Sequence, residues 1–383
     1  MNDNIAACDS PRARVIRTVR GWIQDGKLRP GDVIPTEQAL CERLEMSRGT
    51  VRAALSELTA LGFLVARKGC RRIVATPSQP VSATMRKTIV LVSGLEESIS
   101  DWQETPGRLH AIEGSALRTI QQEGYHGLAV KPDTLGHEEL ANLCRDRPVG
   151  VIIPDPYAVL PAAIGVAQMF STNGVPVVFN ADGGPVEAFD RVISDQSLGA
   201  MKIAQALIAR GCKRILRLWA READLYWIRD RNAGFEKAMK EAGIAPIPYV
   251  RIFGIQHIKH PTRETFESQT RLFAGYLFEH LANGAERPDA LMVTSDAEVP
   301  AAAAACRLLG VVPNRDIFIA GFDNMWKRMP DRQFEPSPPV FTADKTNVRI
   351  GEALVKLLVA RVDGDLPKTP QRVLVEPELI TNE

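Results

Sequence analysis

Short apolar runs alternate with amphipathic helical patterns through the last three quarters of the sequence. Runs such as TIVLVS, VGVIIP, VPVVF and DIFIAGF are each followed by a stretch with helical spacing of its apolar residues. Parallel strands need crossovers of a dozen or more residues, which helices usually supply. The alternation therefore predicts an α/β fold, and about nine strands over about 295 residues favour two doubly wound lobes over one large sheet.

Ligands of doubly wound sheets bind beyond the carboxyl ends of the strands, so the polar residues at those positions are the candidates for a binding cleft. Carboxylate and amide groups can hydrogen-bond hydroxyls, and aromatic rings can cover C–H faces, which together suit a polyhydroxylated small molecule. The alternative for each polar residue is a turn or helix cap. The candidates are Ser93, Asp155, Asn180, Asp182, Trp219, Ser295, Asp296, Asp323 and Asn324.

The N-terminal part of the chain has a different charge balance from the rest. Residues 1–88 hold 15 Lys and Arg against 8 Asp and Glu, a net charge of +7, whereas residues 89–383 have a net charge of −6. The net charge of +1 for the whole chain therefore conceals a basic head on an acidic body. Such a head could bind nucleic acid or a membrane surface.

The pattern inside the basic head is that of a winged helix-turn-helix. Apolar residues at helical spacing predict a first helix between Ser10 and Gly26. TEQALCERLEM predicts a second helix, and SRGTVRAALSELTAL predicts a third, with Ser47 as its cap. The alternating segment FLVARKGCRRIVA predicts a two-stranded hairpin after them.

The polar residues of this head favour double-stranded DNA over a membrane. The third helix begins with Arg48, Gly49, Thr50 and Arg52, where side chains and free N–H groups could reach bases and phosphates. Its large apolar residues face inward, whereas a membrane-binding helix would expose them. The predicted hairpin also contains four basic residues: Arg67, Lys68, Arg71 and Arg72.

Over about 65 residues this head resembles the GntR-type winged helix, on the motifs GKLRPGDVIPTEQAL and LEMSRGTVRAALSELTALGFLVARKG. The resemblance implies contacts to operator DNA from Thr36, Gln38, Arg48, Thr50, Arg52, Lys68 and Gly69. Two positions depart from the family pattern. Gln38 stands where Arg is frequent, and Cys70-Arg71-Arg72 replaces the usual wing tip.

The body resembles the LacI/GalR effector domain, which is itself similar to periplasmic sugar-binding proteins. The resemblance lies in VISDQSLGAMKIAQALIARGCKRI, RDRNAGFEKAMKEAGI, PDALMVTSDAEVP with GFDN, and PPVFTADKTNVRIGEALVKLL. It implies crossovers between lobes near residues 192, 341 and 366, with Arg231 and Asp323 holding ligand hydroxyls and Ser295 and Asn180 as weaker matches. Three tryptophans are further candidates for stacking on a ligand: Trp219, Trp227 and Trp326.

These observations predict a multidomain chain: a winged helix-turn-helix at 1–75, a linker at 76–88 and a two-lobed periplasmic-binding-protein-like domain at 89–383. The first lobe is expected at about 89–191 and 342–366, and the second at about 192–341 and 367–383. The combination is similar to arabinose-repressor-type bacterial regulators, which implies a pentose or a related sugar as effector. The expected function is a transcriptional repressor that binds a palindromic operator as a homodimer under allosteric control. A ligand-independent DNA-binding protein with a vestigial cleft is the alternative.

No pattern in the sequence suggests catalysis, a cofactor or export. The six cysteines have no metal-ligand spacing, and His257 and His260 beside Pro261 favour a surface pair over a metal site. Nucleotide-binding, nucleophile-elbow and metalloprotease motifs are missing, as are a secretory signal and a long apolar segment. The predictions are therefore no enzyme, no cofactor, no metal, no membrane contact and a cytoplasmic location.

Overall fold

The computed structural model describes residues 11–60, 63–65, 71–74, 84–92, 108–131, 137–154, 161–220, 225–255, 258, 260–282 and 286–382. The chain divides into two units. One comprises Met1–Arg86 with Ala141–Arg147, and the other comprises Lys87–Leu140 with Pro148–Glu383.

The first unit is a three-helix domain with a short hairpin. Its elements are α1 (Pro11–Gln24), α2 (Glu37–Leu44), α3 (Arg48–Ala60), β1 (Leu64–Val65) and β2 (Ile73–Val74). The strands are antiparallel, with Leu64 opposite Val74. The apolar faces of the helices and hairpin form one buried core, which includes Val15, Val19, Leu40, Val51, Leu55, Leu58, Leu64 and Val74. The predicted winged helix-turn-helix is confirmed.

The second unit contains two six-stranded sheets. The first sheet has the order β13-β7-β6-β5-β3-β4 with all neighbours parallel. Its strands are β3 (Thr88–Val92), β4 (His126–Val130), β5 (Gly150–Ile153), β6 (Val177–Phe179), β7 (Asp190–Ser194) and β13 (Arg372–Val375). The second sheet has the order β14-β12-β11-β10-β8-β9, parallel except for the β12–β14 pair. Its strands are β8 (Ile215–Trp219), β9 (Val250–Arg251), β10 (Ala290–Val293), β11 (Phe318–Phe322), β12 (Phe341–Asp344) and β14 (Glu378–Thr381).

Helices connect the strands, as the alternation of patterns predicts. They are α4 (Arg108–Gln122), α5 (His137–Arg145), α6 (Pro161–Thr172), α7 (Gln196–Ala209), α8 (Tyr226–Glu241), α9 (Arg263–Ala282), α10 (Val299–Leu308) and α11 (Asn347–Asp363). Two helix pairs approach closely at glycines. A Cβ on Gly234 of α8 would lie 1.9 Å from the Ser197 carbonyl oxygen of α7, and one on Gly351 of α11 would lie 2.3 Å from the Ile112 carbonyl oxygen of α4.

The two-lobed α/β architecture is confirmed, but the strand count and one boundary were wrong. Among the described residues the two sheets contain twelve strands, not about nine. Residues 372–375 pair with β7 in the first lobe, so the chain last crosses at Glu376–Pro377 and not near 366. β13 and β14 are edge strands whose residues are mostly exposed or half-buried, and so they lack the continuous apolar run that marks an interior strand. Most of the predicted linker, at 76–83, lies outside the described residues, and Met85–Lys87 form a single helical turn before β3.

Candidate functional site

The turn between α2 and α3 is held by side-chain caps. The Thr36 Oγ1 accepts a hydrogen bond from the Ala39 backbone N at 3.1 Å, and the Ser47 Oγ accepts one from the Thr50 N at 3.2 Å. Each cap satisfies an N–H group that has no partner within its helix. Thr36, a predicted DNA contact, therefore also caps α2, and Ser47 caps α3 as predicted.

The start of α3 presents its predicted contact residues to solvent. The side chains of Arg48 and Arg52 are 75% and 62% exposed, and Gly49 is exposed with open space where a Cβ would be. Gln38 is exposed at the second residue of α2, where its Nε2 donates to Glu42 Oε1 at 3.3 Å. The missing side chain of Gly49 would let another molecule approach the backbone of this first turn.

Glu37, which the sequence analysis did not select, organises this surface. Its Oε2 accepts from Arg52 Nη2 at 3.2 Å and its Oε1 from Arg72 Nη1 at 3.3 Å, while Arg48 Nε lies 3.9 Å away. The hydrogen bond from Arg52 lowers the pKa of Glu37 most, burial opposes it, and Arg72 lowers it further. The carboxylate therefore stays ionised and links α2, α3 and the hairpin through guanidinium groups.

The wing contributes at least one exposed cation. Arg71 is exposed just before β2, and Arg72 beside it is half-buried against Glu37. The two other wing residues predicted to contact DNA, Lys68 and Gly69, lie outside the described residues.

Arg231 lies deep in the second lobe, at the carboxyl ends of its strands. Its Nε donates to Gln196 Oε1 at 2.9 Å and its Nη1 to the Thr294 carbonyl at 2.7 Å. The guanidinium carbon lies 3.6 Å from the centre of the Phe322 ring. Residues from α7, from the position after β10 and from β11 thus fix its orientation, and the side chain is almost completely buried.

Asp296 supports the backbone of the same region. It is fully buried, and its Oδ2 accepts from the Met325 N at 2.9 Å and the Trp326 N at 3.3 Å. Burial raises the pKa of Asp296 to about 8, the Thr342 hydrogen bond lowers it, and the charge of Asp323 raises it. These contacts argue for a structural carboxyl group rather than the predicted ligand contact.

Ser295 and Asp323 end neighbouring strands of this lobe. The Ser295 Oγ accepts weakly from the Ala297 N at 3.4 Å, as a helix cap. Asp323 has a φ of +88°, and its carboxylate lies 2.6 Å from Lys345 Nζ, both side chains being largely buried. Positive φ is uncommon for residues other than glycine and is found at functional sites. Lys345, the partner of Asp323, was not selected from the sequence.

The aromatic candidates have different environments. Trp219 is fully buried, and its Nε1 donates to Asn232 Oδ1 at 3.0 Å, so the prediction that it stacks on a ligand is wrong. Trp227 is half-buried with its ring 4.8 Å from the Arg231 guanidinium, and Trp326 packs against the core of the second lobe. Phe253, beyond the end of β9, is 57% exposed and was missed.

The first-lobe candidates are tied to their own lobe. Asn180 Nδ2 donates to the Val192 carbonyl at 2.8 Å, which joins the end of β6 to β7. Asp182 accepts from Arg191 Nε and Arg372 Nε, each at 2.6 Å. Burial raises the pKa of Asp182, but Arg372, the Gly183 N–H and Arg191 outweigh it, so the net shift is downward. Ser93 and Asp155 lie outside the described residues.

The structure therefore brings together Arg231, Ser295, Asp296 and Asp323 at one edge of the second sheet, with Asn180 and Asp182 in the first lobe. Within the described ranges, no group of three or more His, Cys, Asp or Glu is arranged to hold a metal ion. Likewise, none of the helices in the described ranges has the length and apolar character needed to span a membrane.

Residues 11–73 match the family model of bacterial regulatory proteins, gntR family, and residues 204–383 match the periplasmic binding protein-like domain. The chain is therefore a transcription regulator that combines a DNA-binding domain with a two-lobed domain of a ligand-binding type. More particularly, its N-terminal domain matches the gntR family model, and its C-terminal domain matches the periplasmic binding protein-like model and has the fold of a solved LacI-family protein.

Similar proteins span most of the chain. An "Arabinose metabolism transcriptional repressor" from Geobacillus stearothermophilus is 27% identical over 311 residues, 80% of this chain and 80% of that protein. The crystal structure of a regulatory protein of the LacI family from Chloroflexus aggregans has a TM-score of 0.56 and 23% identity, covering 77% of this chain and 98% of that one. The "transcriptional regulator CelR-cellobiose complex" has a TM-score of 0.55 and 19% identity, covering 91% and 99%.

Proposed function

We propose that this chain is a cytoplasmic repressor that binds a palindromic operator as a homodimer and is controlled by a sugar bound between its lobes. The observation that carries the DNA-binding part is the exposed start of α3, where Arg48 and Arg52 meet Glu37. Arginine suits bidentate hydrogen bonding to guanine in the major groove, and a helix N-terminus suits a phosphate. Two such helices on one dimer would fit two half-sites of an operator.

We infer a sugar, with a pentose as the first candidate, for the effector. Arg231, Asp323 and Lys345 offer donors and acceptors at strand ends, and Phe253 offers an exposed ring that could cover C–H groups. Of the similar proteins, one is named for arabinose metabolism and another is a cellobiose complex, which supports a sugar in general and makes arabinose the first to test.

The two-lobed construction supports the proposal of allosteric control. The chain crosses between lobes at residues 195, 345–346 and 376–377, so closure of the lobes on a ligand would act on three neighbouring connections. Because coupling between two sites is reciprocal, operator DNA must change the affinity for the sugar by the same factor as the sugar changes the affinity for DNA.

The test uses the full chain, a duplex selected from a randomised library and fluorescence anisotropy. We expect L-arabinose or a related pentose to shift the DNA-binding midpoint by about 5–150-fold, the usual range of allosteric coupling. Arg52→Ala should weaken binding to the selected duplex by about 1–3 kcal/mol. Lys240→Ala, on an exposed position of the second unit, should leave it unchanged.

The two hypotheses from the sequence give different results in this assay. Unchanged DNA binding across a broad panel of pentoses, hexoses and disaccharides, together with no change in melting temperature, would support ligand-independent DNA binding with a vestigial cleft. Equal affinity of Arg52→Ala and the parent for the selected duplex would remove the base-reading role of Arg52.

A further inference from the structure

A single guanidinium group joins carboxylates from both lobes of the second unit. Arg372 begins β13 of the first lobe, and its Nε donates to Asp182 Oδ2 at 2.6 Å within that lobe. Its Nη2 lies 3.4 Å from Oδ2 of Asp230, which belongs to α8 of the second lobe. The ion pair between Arg372 and Asp230 therefore crosses from one lobe to the other.

The first-lobe side of this contact is rigid. Asp182 Oδ1 also accepts from Arg191 Nε at 2.6 Å and from the Gly183 N at 2.9 Å, and Arg191 Nη1 donates to the Glu187 and Phe189 carbonyls. Together these contacts fix the position of the acceptor, so Arg372 is oriented by its own lobe before it meets the other.

The second-lobe side is weaker. Asp230 is about one-third exposed, and 3.4 Å is near the limit for a hydrogen bond. Burial raises the pKa of Asp230 most, and Asp182 and Asp195 raise it further; Arg372 and Arg229 lower it but do not outweigh burial, so the net shift is upward. The attraction of Arg372 therefore does not offset the desolvation of Asp230, so this ion pair holds the lobes together only weakly.

The backbone also approaches closely at this place. Gly183 has a φ of +88°, and a Cβ there would lie 3.7 Å from the Tyr226 Cβ and 3.9 Å from Arg229 Nη2. The loop after β6 thus lies against the first turn of α8. Separation of the lobes would have to break this contact together with the ion pair.

We propose that Arg372 is an ion-pair latch between the lobes, held by Asp182 and closing on Asp230. Asp230 is adjacent in sequence to Arg231, the buried arginine of the candidate effector site, and both lie on α8. A ligand that moves α8 would therefore strengthen or break the ion pair between Arg372 and Asp230. This link to effector response rests on the proposed function, whereas the latch itself does not.

The test measures the distance between lobes in the full chain without ligand or DNA. Spin labels are introduced through unnatural amino acids at exposed Gln121 of α4 and exposed Glu279 of α9, and the protein is diluted with unlabelled chain. Pulsed electron paramagnetic resonance then gives the distance distribution at about 0.1 M and about 1 M NaCl, where the Debye length is about 10 Å and about 3 Å. The variants are Arg372→Gln, Asp230→Asn and, as a control that removes an exposed charge from the same helix, Glu241→Gln.

For the parent and Glu241→Gln, we expect high salt to reduce the ratio of latched to separated populations by about two- to fivefold, the range for a partly exposed pair. Arg372→Gln and Asp230→Asn should lack this salt response. Arg372→Gln should show the larger separation because it removes the cation that lies between Asp182 and Asp230, and Arg191, which still pairs with Asp182, stays within the first lobe. The proposal is overturned if both variants keep the parent distribution and salt response, or if only Arg372→Gln differs, since Arg372 would then act through Asp182 alone. Neither outcome depends on whether a sugar binds.

Discussion

Glu37 is the residue whose removal should most clearly separate specific from non-specific DNA binding. We expect Glu37→Gln to raise affinity for an unrelated duplex, because a negative charge leaves the DNA-facing surface. The same change frees Arg52 and Arg72 from their common acceptor, so affinity for the selected duplex should gain less or fall. The ratio of the two affinities should drop by about two- to fivefold, measured by anisotropy at one salt concentration.

Glu42→Gln is the control, because Glu42 lies on the same helix and accepts only from Gln38 among the hydrogen bonds described.

The pH dependence of the Glu37 ion pairs has a defined sign. The pKa of Glu37 is lowered, so its ion pairs are fully present above its ordinary value of 4.5 and are lost as pH falls through the lowered value. An unchanged affinity ratio for Glu37→Gln would contradict this role. It would also be contradicted if the affinity ratio of the parent changed between pH 6 and 8, roughly the range where histidine titrates, and that of Glu37→Gln did not.

Arg231 offers a second prediction at the residue scale. Arg231→Lys keeps the positive charge but loses the planar fork that reaches both Gln196 and the Thr294 carbonyl. We expect this variant to bind the sugar more weakly. The sugar concentration at the midpoint of the shift in DNA binding should rise at least about tenfold, a change of about 1.4 kcal/mol. DNA binding without sugar should be unchanged. A parent-like sugar response would show that Arg231 is only structural.

Three charged residues that the sequence analysis missed, Glu37, Lys345 and Arg372, share one property: each has a partner that is distant in sequence. Glu37 meets Arg72, Asp323 meets Lys345, and Asp182 meets Arg372 across 190 positions. Local motifs can place a side chain at a strand end or in a first helical turn, but they do not indicate which charge will face it. For the same reason Trp219 was misassigned, since its position at a strand end does not tell which face of the sheet its ring occupies.

At the scale of elements, the α7–α8 contact depends on a glycine. Gly234→Ala should destabilise the chain by about 1–3 kcal/mol, because the new Cβ would overlap the Ser197 carbonyl and force the helices apart. Helix propensity alone predicts the opposite sign, a gain of up to about 1 kcal/mol. Unfolding in urea, monitored by circular dichroism, shows whether the packing effect or the helix propensity determines the change in stability.

Gly275→Ala on α9 is the matched control. Gly275 is exposed in the middle of a helix, and no atom lies within 4 Å of the position that its Cβ would take. We expect this substitution to be neutral or stabilising by about 0.5–1 kcal/mol. If the two alanine variants shift the urea midpoint equally, close packing at Gly234 is not limiting.

Elements with strong local signals were predicted well. The helices of the first unit have caps and apolar residues at helical spacing, and interior strands such as β5 and β10 are continuous apolar runs. β13 and β14 are different, because each is paired on one side only and carries charged residues. Their assignment to separate lobes depends on the tertiary register with β7 and β12, which the local pattern does not encode.

At the scale of the whole molecule, the uneven charge predicts how salt acts. Although the chain has a net charge of only +1, its first 88 residues carry +7, so DNA binding should depend steeply on salt. The slope of log K against log[NaCl] should be about −0.9 for each phosphate contacted. Arg71→Gln should reduce its magnitude by about 1 for each protomer bound, if this exposed wing residue meets a phosphate.

Lys213→Gln removes an exposed cation from the acidic body and should leave this slope unchanged. Titrations at four or more salt concentrations provide the measurement. A slope close to zero for the parent would mean that the basic head is not the DNA-binding surface. Equal slopes for Arg71→Gln and the parent would mean only that Arg71 does not contact a phosphate.

The interleaved course of the chain through the two sheets has a consequence for synthesis. Residues 11–74 contain all three helices and the hairpin of the winged helix-turn-helix, so this domain can fold while the ribosome is still translating the remainder. Neither sheet of the second unit has all its described strands until residues 372–381 emerge. At bacterial speeds of about 5–20 residues per second, the nascent chain spends about 15–60 s with a finished helix-turn-helix and an incomplete second unit. During that interval the first unit is present without the domain that would regulate it.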